Sequence, residues 1–278
     1  MGQLSNKDIK FIKSLSAKKF RDETGLFVVE GEKMVQEALA SRFEVVSVFR
    51  REEIGEDAMA RISQLSSPSP VLAVVRKPAD IGFAAPLSTA DSSSACVSTA
   101  DNSSAFVSTA DRGPVASFAA PGPGLYLALD SIRDPGNLGT ILRIADWFGI
   151  RSVYASPDTV EIFNPKVVQS TMGAIFRVDF HYVDLQEFAS SVLKCGGKVY
   201  GTFLDGRDMY SLDIDPGLER PVVIVIGNEA NGISAGMEAL VSDRLYIPPY
   251  PVGDPGSESL NAAVATAVTV AEFRRRAR

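Results

Sequence analysis

Short apolar runs bounded by glycine, proline and polar turns alternate with stretches in which apolar residues recur every three or four positions. In the first part of the chain this pattern predicts a helix over Asn6 to Lys19 and the strand LFVVEG (Leu26 to Gly31). A helix over Glu32 to Ala40, the strand FEVVSVF (Phe43 to Phe49), a helix near Glu56 to Leu65 and the strand VLAVVR (Val71 to Arg76) follow. The alternation predicts a small layered α/β domain over residues 1–82, with a mostly parallel sheet and a binding role.

The last part repeats the alternation with longer, more continuously apolar strands. LYLALD (Leu125 to Asp130), SVYAS (Ser152 to Ser156), FRVDF (Phe176 to Phe180), KVYGTFL (Lys198 to Leu204), VVIVIG (Val222 to Gly227) and RLYIP (Arg244 to Pro248) are separated by helical patterns. Pro135, Asn164 before Pro165, and Ser234 mark helix starts. Runs such as VVIVI predict strands covered on both faces, hence an open α/β domain over 125–278 with its site beyond the strand ends.

Between the two lies a stretch with neither periodicity. Residues 83–124 hold the decapeptide near-repeat LSTADSSSAC, VSTADNSSAF, VSTADRGPVA, closed by APGPG. It has too few large apolar residues to offset its ordering entropy, and three ten-residue units cannot bury a core, so it reads as a flexible linker.

Composition narrows the class. The 278 residues are 45% hydrophobic, ample for a core, while no apolar run reaches spanning length and the polar, basic start lacks a signal-peptide core; a cytoplasmic protein without a membrane segment is expected. Cys96 and Cys195 stand far apart and His181 is the sole histidine, which disfavours a disulfide framework and a metal site. The net charge of −6 argues against a nonspecific nucleic-acid coat. Two basic clusters nevertheless stand out, Lys7, Lys10, Lys13, Lys18, Lys19 and Arg21 near the start and Arg274, Arg275, Arg276 and Arg278 at the end. Each is a solvated face unless an RNA-directed site lies beside it, when each becomes a candidate for phosphate contacts.

Three blocks carry the candidate chemistry: DPGNLGTILRIADWFG (Asp134 to Gly149), IGNEANGIS (Ile226 to Ser234) and IPPYPVGDPGSESLNAAVATAV (Ile247 to Val268). Each sets a Gly/Asn-rich turn before a helical pattern and at or soon after a strand-like run. A G-x-G-x-x-G dinucleotide turn and a P-loop are both missing. The order N-L-G-x-x-x-R, then G-N-E-A-N-G-I-S, then I-P and S-L-N-A-A-V-A resembles the SpoU/TrmH class of SPOUT RNA ribose 2′-O-methyltransferases. The likeness covers Leu125 to Arg278, and LFVVEGEKMVQEAL in the first domain is similar to the ribosomal-protein-like RNA-binding module of that class.

The resemblance implies a C-terminal trefoil knot, S-adenosyl-L-methionine as cofactor, an RNA ribose as acceptor, no metal, and a homodimer. It implies catalytic roles for Asn137, Arg143, Glu229, Ser259 and Asn261, and cofactor contacts from Thr202, Gly227, Asn228, Ile247, Pro248 and Leu260. In that reading Arg143 holds the target phosphate and steadies a developing alkoxide, since a guanidinium does not give up its proton. Asn137 and Arg143 can both face the strand ends if their helix begins near Asn137. Taken alone, Asn137 reads equally as a helix cap, Arg143 as a surface charge, Glu229 as a turn residue and Ser259 as the cap of the closing helix. Gly227 ends a strand where a ligand can approach the backbone. Two features depart from the class, Ala230 where a glycine is usual and the long loop between Pro248 and Ser259.

The separate first domain favours ribosomal over transfer RNA as substrate. The competing readings are a tRNA 2′-O-methyltransferase, a noncatalytic RNA-binding SPOUT protein, and a nucleotide-dependent oxidoreductase, the last weakened by the missing phosphate-binding glycines.

Overall fold

A computed structural model describes residues 4–78, 120–251 and 259–278. The decapeptide repeats and most of the long loop before Ser259 lie outside the described residues. The elements run α1 (Asn6–Ser14), α2 (Lys18–Thr24), β1 (Leu26–Glu30), α3 (Glu32–Ala40), β2 (Val45–Arg50), α4 (Arg51–Ile54), α5 (Glu56–Ile62) and β3 (Val71–Arg76). Then come β4 (Gly124–Leu129), α6 (Pro135–Trp147), β5 (Ser152–Ala155), α7 (Pro165–Thr171), a 3₁₀ turn (Ala174–Phe176), β6 (Asp179–Tyr182) and α8 (Leu185–Lys194). The chain closes with β7 (Lys198–Asp208), β8 (Pro221–Ile226), α9 (Ala235–Glu238), β9 (Asp243–Tyr246) and α10 (Ala262–Arg276).

The first sheet corrects the sequence reading. Its order is β1-β3-β2 and both pairings are antiparallel, so the sheet is not mostly parallel. The β1–α3–β2 alternation does make β1 and β2 run in one direction, but β3 inserts between them in the opposite direction. Alternation predicts the crossover and says nothing of which strand fills the gap. The predicted first helix is likewise two, broken at Leu15–Ala17, and FRVDF begins as a 3₁₀ turn before β6 starts at Asp179.

Period-two alternation divides each sheet between two cores. Leu26, Val28, Leu72 and Val74 join Ile9, Ile12 and Leu15 of the α1 segment and Met59 and Ile62 of α5. Their neighbours Phe27, Val29, Val71, Ala73 and Val75 turn the other way, into a core continuous with that of the second sheet. Phe27 packs on Phe163 at 4.7 Å between ring centroids, and Phe43 meets Phe176 edge-on at 5.1 Å.

The second sheet is parallel throughout, in the order β6-β5-β4-β8-β7-β9. Leu127, Leu129, Ile224 and Ile226 face the side of α6, α7 and α10, while Ala128, Val223 and Val225 face α8 and α9. Strand order reverses at β4, which has β5 on one side and β8 on the other, and ligand crevices form beyond strand ends at such a switch point. Gly139 lets α7 come close: a Cβ there would lie 2.4 Å from the Ser170 Cβ. Among the described residues no helix is long and apolar enough to cross a membrane.

Candidate active site

The three sequence blocks meet at the C-terminal ends of the second sheet. The first enters after β4, where Asp134 caps α6 by accepting from Asn137 N at 2.8 Å. Asn137 is therefore not the cap but the third residue of the helix, and its side chain is free to leave the helix and be buried, only 8% exposed. Its amide is spoken for on both sides. Nδ2 donates to Glu229 Oε1 of the second block, and Oδ1 accepts from Asn261 Nδ2 of the third at 2.8 Å.

Asn261 also takes the capping role assigned above to Ser259: its Oδ1 accepts from Ala263 N at 3.0 Å and Val264 N at 3.3 Å, opening α10. Ser259 itself is exposed at the border of the described residues. In the second block Asn228 ties the turn to the loop after β4, its Nδ2 donating to Ser131 O at 2.7 Å while Oδ1 accepts from Ala230 N at 2.9 Å.

Gly227 has an internal reason to lack a side chain. A Cβ would fall 2.4 Å from the Gly232 carbonyl carbon and 2.5 Å from Ile233 N, inside the chain's own returning turn. Thr202, beside it on β7, is half-buried and donates through Oγ1 to Val225 O at 3.4 Å. Ile247 and Pro248 are half-buried after β9, and Leu260 is 47% exposed before α10.

Arg143 departs from the expectation. The helix begins at Pro135, and six residues turn it by about 240° from Asn137. It lies on the exposed face of α6 with Thr140 and Trp147 and forms no hydrogen bond or ion pair among the described residues. The C-terminal arginines are also not the open cluster the sequence suggests. Arg274 donates to Phe148 O at 2.8 Å, Arg275 pairs with the buried Glu272, and Arg276 donates to Met209 O and Tyr210 O at 3.1 and 3.0 Å.

Sequence reading missed the framework under the site. Asp130, 4% exposed, accepts from Ser234 N at 2.7 Å and so joins the β4 and β8 loops. Ser131 sits at φ 62°, a conformation costly for a side-chain-bearing residue. It is held there by Ser156 Oγ, which accepts from its N–H at 2.8 Å, by Asp158, which accepts from its hydroxyl at 2.5 Å, and by Asn228 on its carbonyl. Burial pushes the Asp158 carboxyl up, but the bonds from Ser131 and Ser156 outweigh it, so its pKa lies below the ordinary range. The local signal was a polar D-S directly after an apolar run.

Residues 124–271 match the model of the SpoU rRNA methylase family, and residues 6–74 match the MRM3-like substrate binding domain. The chain belongs to the SpoU rRNA methylase family. Over 284 aligned residues this SpoU methylase is 28% identical to the 23S rRNA (guanosine(2553)-2′-O)-methyltransferase of Bacillus subtilis, covering 97% of this chain and 96% of that one. A TrmH-family protein of known structure from Porphyromonas gingivalis is 33% identical, with TM-score 0.73, covering 99% of this chain and all of the other. The AdoMet-bound rRNA methyltransferase of Sinorhizobium meliloti is 26% identical, with TM-score 0.77, covering 99% and 97%.

The residues at the strand ends of this SpoU methylase suit an S-adenosylmethionine ligand. Ile247, Pro248 and Leu260 are apolar, Thr202, Gly227 and Asn228 carry neutral polar and backbone groups, and none of the six is a cation. The charged residues that join these loops, Asp130, Asp158 and Glu229, are all carboxylates, which favours a cationic sulfonium over a phosphate-bearing nucleotide. Among the described residues no cluster of three His, Cys, Asp or Glu side chains is placed to hold a metal ion.

Proposed function

We propose that this enzyme methylates a ribose 2′-hydroxyl in ribosomal RNA, with the site at the joined ends of β4, β8 and β9. The observation that carries the reading is Asn137, buried and hydrogen-bonded at once to Glu229 and Asn261, so that three distant blocks form one rigid unit. S-adenosylmethionine, when bound, supplies an electrophilic methyl group on a sulfonium. Ile247, Pro248 and Leu260 wall its adenine, and Thr202, Gly227 and Asn228 line its polar parts.

The chain's own residues supply placement, and ideal orientation is worth about 7–11 kcal/mol. Asn137, Glu229 and Asn261 hold the loops in register, Ser259 meets the substrate from the start of α10, and Arg143 grips the target phosphate from α6, at the border of the Trp147 surface assigned to the dimer. Its planar guanidinium steadies negative charge growing on the attacking oxygen.

In this reading residues 1–82 recognise the RNA, 83–124 link them to the catalytic part at 125–278, and the C-terminal segment completes a trefoil knot. The enzyme works in the cytoplasm as a homodimer. Support for the dimer is the uncovered apolar surface on the packed pair α6 and α10, where Trp147 is 85% and Val264 48% exposed.

Mapping 2′-O-methyl groups in total RNA from cells with and without the protein tests the substrate. A missing ribosomal mark is the expected result; a missing tRNA mark with unchanged rRNA overturns the choice of ribosomal RNA.

A further inference from the structure

Of the two basic clusters in the sequence, the C-terminal one is largely consumed by internal bonds: Arg274, Arg275 and Arg276 all serve carbonyls or Glu272. Half of the N-terminal one is not. Lys18 pairs with Asp22 at 3.2 Å and Lys19 with Glu23 at 3.9 Å, both within α2, but Lys7, Lys10 and Lys13 have no ion pair among the described residues. The only acid of α1, Asp8, is engaged in a capping box with Ser5.

Lys7, Lys10 and Phe11 stand at i, i+3 and i+4 and so share one stripe, with Lys13 at its edge and Ile9 and Ile12 buried on the opposite side. Phe11 is 41% exposed, and Phe20 on α2 is equally so. Cations interleaved with an open ring suit a phosphate backbone whose unpaired bases can stack. A lysine face alone is usually only solvated; what distinguishes this one is its mounting.

Arg21, 2% exposed, donates to Leu15 O at 2.9 Å and Ser16 O at 2.7 Å, the corner between α1 and α2. Its remaining edge forms a two-pronged ion pair with Glu161, in the loop after β5. That loop is bonded in turn to the β4–α6 loop, through Val160 N to Ile132 O at 2.8 Å and through Asp158 and Ser156 to Ser131. The α1 corner is thus tied to the sheet edge that carries Asn137.

We propose that the Lys7–Lys10–Phe11–Lys13 face of α1 is where substrate RNA docks, single-stranded or looped, and that Arg21 mounts this face at a fixed offset from the catalytic loops. The inference rests on the RNA-methyltransferase reading above and names the surface that serves it.

The test uses the full-length protein, with unmodified ribosomal RNA transcripts for turnover and a mixed-sequence single-stranded RNA oligomer for binding. In the K7Q/K10Q/K13Q variant, the slope of log Kd against log salt should fall by about 2 to 3, and KM for the transcript should rise at least about tenfold. Turnover at saturating RNA, affinity for S-adenosylmethionine and melting temperature should stay at wild-type values. F11A should weaken the oligomer by about fivefold or more without changing the slope. An unchanged slope and KM in the triple variant overturns the proposal, as does an equal loss in K33Q/R151Q/K194Q, which removes three exposed charges elsewhere. The oligomer titration needs no turnover, so it decides this surface even if the activity reading fails.

Discussion

Asn261 and Asn137 meet amide to amide: Nδ2 of Asn261 donates to Oδ1 of Asn137 at 2.8 Å, across 124 positions of sequence. The contact has a direction. Asn261 Oδ1 is occupied by the first N–H groups of α10, and Asn137 Nδ2 by Glu229, so neither amide can flip without losing a partner.

Asn137→Ala should therefore act on more than one loop. We expect methyl transfer to fall by about a hundredfold through misplacement, with about 1–3 kcal/mol of stability lost from the unpaired groups left behind. Glu229→Gln, which keeps an acceptor oxygen, should lose less. A double-mutant cycle of Asn137→Ala with Asn261→Ala checks the coupling; strictly additive effects would mean the contact does not operate as a unit.

Arg143 projects from α6 without a partner among the described residues, so removing its fork should leave the fold alone. Arg143→Lys is expected to change stability by no more than about 0.5 kcal/mol while most turnover is lost. Near-wild-type turnover in a radiolabelled methyl assay would remove the arginine from the mechanism.

At Gly227 the space is filled by backbone, which cannot rotate away. Gly227→Ala should cost on the order of 1–3 kcal/mol and weaken S-adenosylmethionine binding, because the 228–232 turn must shift. Calorimetry reading both quantities would contradict this if each matched the wild type.

Arg21 is a buried cation whose loss strands Glu161 with only Lys77, 3.2 Å away. Breaking one side of such a pair typically costs about 3–5 kcal/mol, and the surviving lysine places Arg21→Met near the lower end. Denaturant unfolding provides the measure, and a cost below that of an ordinary surface change would show that the two sheets are not joined there.

Glu272 supplies a pH signature. The bond from Arg275, aided by Arg276, outweighs burial and holds its carboxyl at about 2, below its ordinary 4.5. A folded-state value depressed in this way adds stability that is full above pH 4.5 and lost as pH falls toward 2. Wild-type protein should lose stability more steeply than Glu272→Gln in that window, and parallel curves would argue against the pairing.

Much was legible without coordinates because it depends on neighbours along the chain. Continuous apolar runs announced strands covered on both faces in the second domain, Pro135 and the Asn164–Pro165 pair marked two helix starts, and the Gly/Asn turns after the strand-like runs marked the edge where the three blocks meet. Such signals reflect periodicity and capping, both local properties of the backbone. Other features have no local signature. That β3 would divide β1 from β2, that Asn261 rather than Ser259 would cap α10, and that Arg274 and Arg276 would be bonded to distant carbonyls all depend on which distant segments meet. The same holds for Arg21: nothing in KKFRDE separates it from the lysines beside it, and only the approach of Glu161 from 140 positions away turns one charge of that run into a buried joint. Sequence spacing decides what each segment can form alone, whereas partner choice among buried polar groups is settled by packing, because an amide or ion withdrawn from water must find its counterpart wherever the fold delivers it.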